Sequence, residues 1–190
     1  SLAKNTLIKK DVYDADIFVR FDKKYKNNEI SSLTNKILKR FVKYSIIHGS
    51  RDYFKVKSNP TFYLEIIPVI MIKNPKDARN ITDLSYSHVR YINKKLKSKR
   101  ILDEIRLAKA FCYANNCYGA ESYIKGFSGY SLELLIYHYG SFLKFIKNIE
   151  KIKDKVIIDI EKHYKNRQNV LMDINNSKLQ SPIILIDPTY

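Results

Sequence analysis

Three carboxylates carry the first chemical signal in this chain. Asp14 and Asp16 stand two residues apart in Tyr13-Asp14-Ala15-Asp16-Ile17-Phe18-Val19-Arg20-Phe21, and Glu65 opens the apolar run Glu65-Ile66-Ile67-Pro68. In an extended strand, residues two apart point to one face about 7 Å from each other. Two carboxylates so placed repel unless a cation lies between them. All-oxygen ligands of this kind suit Mg²⁺, which keeps several waters and takes one or two carboxylates plus substrate phosphates. A solvated strand start with two surface acids is the plainer alternative. Glu65 adds weight to the metal reading, because an ionisable side chain in a buried apolar strand is costly unless it is paired or binds a metal.

The surrounding elements would have to bring these acids together. Ile17 to Phe21 read as a strand running into a buried sheet. Ile30, Leu33, Ile37, Leu38, Phe41 and Val42 recur at three-and-four spacing and predict a helix from about Glu29 to Ile46. Gly49 to Asp52 turn the chain into an alternating strand, Tyr53–Lys57, and Ser58-Asn59-Pro60 turn it again into the apolar strand Phe62–Ile72, where Pro68 suggests a bulge or an exposed edge. An antiparallel neighbour carrying Glu65 would then complete a triad on a compact α+β palm.

Beyond Lys73–Asp77 the composition changes, and a boundary is expected between residues 74 and 82, giving domains 1–77 and 78–190. The second is mainly helical. His88, Val89, Ile92 and Leu96 mark one helical face, with Asp83 or Ser85 as the N-cap, and the basic run Lys94–Arg100 closes it. Ile101, Leu102, Ile105, Phe111 and Cys112 mark a second helix ending near Asn115-Asn116. Turns at Tyr118-Gly119-Ala120-Glu121 and Gly126-Phe127-Ser128-Gly129-Tyr130 precede helices Leu132–Tyr139, stopped by Gly140, and Ser141 to about Lys151. The glycines at 126 and 129 suit either close backbone approach to a ligand or a tight interhelical turn. An apolar Val156–Ile160, a polar stretch with Asn175-Asn176 and a strand-like Pro182–Pro188 end the chain.

Composition bounds the partners. The 190 residues are 45% hydrophobic with five Gly and five Pro, so a real core is available and disorder is excluded. Lys plus Arg is 35 against 19 Asp plus Glu, and the resulting +16, with 15 Tyr and nine Phe, matches a polyphosphate such as nucleic acid. Genome composition or solubility would produce the same excess. No apolar run is long enough to span a membrane and the first residues lack a signal-peptide core, so a cytoplasmic setting is expected. Cys112 and Cys117 have no zinc-ligand spacing and read as reduced packing residues.

The ordered set Asp14–Val19, Glu65–Pro68, Asp83–His88, Arg106-Leu107-Ala108-Lys109, Tyr118–Glu121, Gly126–Tyr130, Tyr139-Gly140-Ser141-Phe142 and Ile186-Asp187-Pro188 resembles the archaeal, class I CCA-adding enzymes, tRNA nucleotidyltransferases related to poly(A) polymerases. The resemblance covers nearly the whole chain. It implies a polymerase-β-like nucleotidyltransferase palm followed by a helical central domain, and Mg²⁺-dependent transfer from CTP and ATP to an RNA 3′ end, above all the tRNA terminus. It makes Asp14, Asp16 and Glu65 the metal ligands, and Ser1, His88, Lys109 and Tyr118 contacts to the triphosphate. Taken singly, His88 suits a satisfied helical histidine, Lys109 a surface charge and Tyr118 packing.

The chain begins at Ser1 and not at Met. Relative to the family, sequence before the Gly-Ser motif and the Arg-Asn motif, body and tail after Asp-Pro are expected to be missing. A reduced polymerase, an excised fragment, one chain of a split enzyme and a nucleotide- or RNA-binding subunit without activity of its own are the alternatives this raises.

Overall fold

The computed structural model describes residues 1–120, 123–175 and 178–189. Glu121 and Asn176, each in an expected turn or polar stretch, lie outside the described residues. Contacts divide the chain into two compact units, one made of Leu2 and Lys9–Arg90, the other of Ser1, Ala3–Ile8 and the chain from Tyr91 onward.

The first unit is built on a four-stranded sheet. Strands β1 (Tyr13–Phe21), β2 (Ser45–Ile47), β3 (Tyr53–Asn59) and β4 (Phe62–Ile70) lie in the order β1-β4-β3-β2, and helix α1 (Asn27–Leu38) packs against β4. The sheet buries Phe54, Ile67, Val69 and Ile70, and α1 buries Ile30. Glu29 closes the start of α1 by accepting the backbone N–H of Lys26 at 2.5 Å. Two expectations are corrected here. The helix ends at Leu38, eight residues before Ile46, and Phe41 is 77% exposed. Ser45-Ile46-Ile47 instead forms strand β2, antiparallel to β3 with Ile46 opposite Phe54. The β-branched pair Ile46-Ile47 suits a strand, and its partner lies beyond the next turn, where helical periodicity has nothing to say about it. Tyr44 fastens the switch, with its hydroxyl on the Asn35 side chain and its ring edge-on to Phe54 at 5.5 Å.

Strand β1 is an edge strand, not a buried one. Among the described residues its one sheet neighbour is β4, and Ile17 is 45% exposed. Pro68 is buried in the central strand β4, opposite Val19, beyond the last paired residues of β3. The missing N–H therefore costs no bond to β3, and the Pro68 carbonyl accepts from Arg51 Nη1 at 3.1 Å. The register shift in this sheet falls in β3, between Lys57 and Asn59.

Asp83 ties the end of this unit together. It belongs to a 3₁₀ turn, Ile81–Leu84, capped by Asn80. One carboxylate oxygen accepts from Arg51 Nη1 and from the Ile70 N–H at 2.8 Å, the other from the backbone N–H groups of Arg79 and Asn80 at 3.1 Å each. These bonds keep the residues after the composition change with the sheet, so the contacts divide the chain within helix α2 (Ser85–Lys95).

The second unit is a helical cluster. Helices α3 (Lys99–Ala114), α4 (Gly129–Tyr139) and α5 (Phe142–Ile149) surround a core of Ile105, Ala108, Cys112, Leu132, Leu134–Ile136 and Phe145. Ser128 and Ser141 cap α4 and α5 through their side chains, and Gly140 ends α4 at φ +79°, a conformation that favours glycine. The basic run splits between two helices. Lys94 and Lys95 end α2, whereas Lys99 and Arg100 open α3, after Ser98. Strands β5 (Val156–Ile158) and β6 (Ile183–Leu185) pair in parallel, and a short helix α6 (Arg167–Asp173) occupies the stretch expected to be merely polar. Both cysteines are free, and burial first, with Cys117 beside it, pushes the Cys112 thiol up to about 12. Among the described residues no helix is long and apolar enough to cross a membrane.

Candidate active site

The expected triad forms, through a different sheet topology. β1 and β4 run parallel, not antiparallel, because the chain passes through α1 and the β2–β3 hairpin before β4 begins. The parallel register sets Asp16 opposite Glu65 and Asp14 opposite Tyr63. Alternation along β1 puts Asp14 and Asp16 on one face, and pairing across one strand spacing adds Glu65. Each of the three offers a carboxylate oxygen within 4.8 Å of the others.

The electrostatics of this cluster strain against its own charge. Burial of the carboxyl, then repulsion from Asp14 and Glu65, raise the Asp16 pKa above its usual value, with Lys10 acting in the opposite direction. Two lysines stand at the margins. Lys55, opposite Glu65 on β3, pairs with it at 3.1 Å, and Lys10 lies 3.6 Å from Asp14. The donor set is all oxygen, close-spaced and partly open, which fits a hard divalent cation.

This arrangement makes a stability prediction. A raised pKa means that folded Asp16 holds its proton more tightly than unfolded Asp16, so its contribution is full below the unfolded value and is lost as pH rises through the folded one. Ionised Asp16 therefore costs stability at neutral pH. Asp16→Asn is expected to raise the melting temperature at pH 7 in EDTA and to flatten its dependence on acid pH. Divalent cations should raise the melting temperature of the natural chain and leave that of the variant unmoved. Thermal melts in EDTA and in Mn²⁺ from about pH 3 to pH 8 check both, and a variant melting lower at neutral pH would refute the reading.

The other expected residues distribute between the units. His88 is half-buried in the first turns of α2. Ser1, Lys109 and Tyr118 come together in the second unit. Lys109 is not a surface charge, being fully buried on α3. Its ammonium donates to Glu133 Oε1 at 2.6 Å, to Thr6 Oγ1 at 2.8 Å and to Ser1 Oγ at 3.4 Å. A side-chain carbon on Gly129 would stand 2.7 Å from the Tyr118 hydroxyl and 3.6 Å from the Lys109 ammonium, so the opening of α4 leaves room for both groups. Gly126 serves packing of the chain on itself. A Cβ there would fall 2.2 Å from the Cys117 carbonyl oxygen, in a segment where Phe127 donates to that oxygen and Gly119 donates to the carbonyl of Phe127, both at 2.9 Å.

Comparison with known proteins adds to this geometry. Residues 103–190 match the family model of the tRNA nucleotidyltransferase second domain. The CCA-adding enzyme of Nanoarchaeum equitans is 42% identical over 193 residues, a match covering 99% of this chain and 47% of that protein. The CCA-adding enzyme of Methanocaldococcus jannaschii is 36% identical over 197 residues, covering 99% of this chain and 42% of the relative. The chain is similar to archaeal CCA-adding enzymes along nearly its whole length. It spans a little under half the length of the curated relatives it matches. A solved structure of an E. coli MS115-1 CdnC:HORMA-deltaN complex shares the fold at a TM-score of 0.51 and 12% identity, covering 100% of this chain and 64% of that one. The architecture is accordingly an α+β nucleotidyltransferase fold, with its helices concentrated in the second half.

Sequence reasoning missed Glu133, Thr6 and Lys4. Glu133 is fully buried on α4, and its second oxygen accepts from Lys4 at 2.6 Å while Thr6 donates to the first at 2.7 Å. Burial works against its ionisation, yet the ammonium groups of Lys109 and Lys4 outweigh it and hold its carboxyl below the usual range. A signal for Glu133 was present, an acid inside the apolar run Leu132 to Ile136, by the argument that singled out Glu65. Nothing local marks Thr6 as buried.

Proposed function

We propose that this chain catalyses divalent-metal-dependent transfer of nucleotides from CTP and ATP to an RNA 3′ end, with CCA addition to tRNA as the reaction. The observation carrying this reading is the convergence of Asp14, Asp16 and Glu65 within 4.8 Å on paired strands. The sheet-bearing unit, Lys9–Arg90 with Leu2, serves as the palm and the unit from Tyr91 onward as the helical central domain, and the setting is the cytoplasm.

Asp14, Asp16 and Glu65 are the residues that would hold Mg²⁺. Bound there, the metal supplies Lewis-acid charge that lowers the pKa of the RNA 3′-hydroxyl and neutralises the departing pyrophosphate. The chain itself orients and stabilises. Asp14 and Asp16 fix the ligand face from one strand, and Glu65 completes it from the next. Ser1 and Tyr118 offer hydroxyl groups, and His88 and Lys109 offer donors, to the triphosphate oxygens. The 3′-oxygen forms its bond to the α-phosphorus as the bond to pyrophosphate breaks, so no covalent protein intermediate enters.

A second reading has one observation in its favour. The Lys55–Glu65 and Lys10–Asp14 pairs meet two of the acids without any metal, as in a nucleotide- or RNA-binding subunit that is inactive alone or works with a partner chain. Extension of a tRNA lacking its terminal CCA, with each labelled nucleotide in turn and Mg²⁺ present, separates the two. Ordered addition of C, C and A is the expected result. A-only or single-nucleotide addition would leave nucleotidyl transfer standing and remove CCA addition, and nucleotide binding without any extension would favour the binding subunit.

A further inference from the structure

The buried ionic cluster on α3, α4 and the N-terminal segment is larger than a tie between helices requires. Glu133 gives one oxygen to Lys109 and the other to Lys4, each at 2.6 Å. Both ammonium groups are thereby pinned to a single carboxylate, one fully buried and the other 11% exposed. Thr6 closes the inner side, donating to Glu133 at 2.7 Å and accepting from Lys109 at 2.8 Å. Lys4 also lies over the Tyr130 ring at 5.5 Å, which restricts its long side chain from a second direction. Around this pair stand the Ser1 hydroxyl, 3.4 Å from Lys109, and the opening of α4 at Gly129, beside the Tyr118 hydroxyl.

Apolar side chains could hold these elements together at lower desolvation cost, since replacing buried ion pairs with packed hydrophobic groups is often neutral or stabilising. What they could not do is keep two lysines charged and fixed. A lysine buried without its counter-ion loses its proton easily, and a flexible ammonium must give up rotamer freedom before it can bind a phosphate.

We infer that Glu133 is a positioning residue, which holds Lys109 and Lys4 as a paired-cation seat for the phosphate chain of the incoming nucleoside triphosphate. The inference rests on the triphosphate reading above and adds to it a residue that touches neither substrate nor metal. Its consequence is specific. Glu133 governs how strongly the protein prefers a triphosphate to a monophosphate, because only the longer phosphate chain uses the seat.

Equilibrium dialysis of the full chain with labelled CTP, ATP, CMP and AMP in Mg²⁺ measures that preference. Glu133→Gln is expected to reduce the ratio of triphosphate to monophosphate affinity by about tenfold or more, the effect of losing a charge-assisted contact. Glu133→Asp keeps the charge and is expected to recover most of the ratio. Lys4→Met leaves the Lys109–Glu133 pair in place and should lose part of it, which keeps the test decisive if Glu133→Gln does not fold. A ratio unchanged in Glu133→Gln or in Lys4→Met would overturn the role, leaving Glu133 a structural tie. A natural chain that binds triphosphates no better than monophosphates would instead overturn the triphosphate reading itself.

Discussion

In primer extension with Mg²⁺, the Asp14→Ala/Asp16→Ala variant is expected to lose about a thousandfold or more of the natural chain's rate, since under the proposed function these carboxylates would place the catalytic metal. The two side chains project from one face of an edge strand, so their truncation opens no core cavity, and the fold should persist. Ionisation of Asp16 works against burial and two neighbouring carboxylates, and relief of that repulsion favours the variant's stability. Activity and stability should therefore move in opposite directions. Mn²⁺ binding measured by titration should fall with activity. Extension retained by the double variant would remove the metal-site reading, and loss of extension with unchanged Mn²⁺ binding would place the metal elsewhere.

The largest stability effect is expected at Arg51 and Asp83. The two form a buried pair in which Arg51 also donates to Pro68 O at 3.1 Å and to Asn27 Oδ1 at 3.0 Å. Asp83 in turn accepts from the backbone N–H groups of Ile70, Arg79 and Asn80. Removing either partner strands a charge in the interior, which costs about 3–5 kcal/mol, a large share of the roughly 5–15 kcal/mol by which domains are stable. Asp83→Ala should cost more than Arg51→Ala, because it also deprives three backbone donors of their acceptor. Arg51→Met with Asp83→Leu removes the stranded charge but leaves those donors unpaired, so it should recover only part of the loss. Urea unfolding of the four proteins tests the order. Equal, small losses for both single variants would show that the pair is not an anchor.

Local pattern alone makes the acid pair, the apolar strand with its embedded Glu65 and the ends of α4 and α5 legible. Each depends on residues within a turn or a strand of one another. Asp14 and Asp16 share a face because side chains alternate, and Ser128, Ser141 and Gly140 mark helix ends by bonds or torsions confined to one helical turn. The ordered motifs extend this legibility to the similarity with archaeal CCA-adding enzymes.

Only the tertiary structure decided how those pieces meet. Whether β4 runs with or against β1 depends on the path through α1 and the β2–β3 hairpin, and the same apolar run would suit either direction. Ile46 continues a helical period in sequence, yet pairing with β3 makes it part of a strand. Thr6 is a polar residue among small polar neighbours in sequence, yet it is buried, its hydroxyl donating a hydrogen bond to Glu133, 127 residues away. Lys109 reads as a surface charge for the same reason, its counter-ion lying 24 residues on, on another helix. Periodicity and capping act within a few residues and leave a mark in the chain. Strand direction and buried charge pairing are settled by desolvation and backbone pairing between distant segments, which leave no mark until the segments touch.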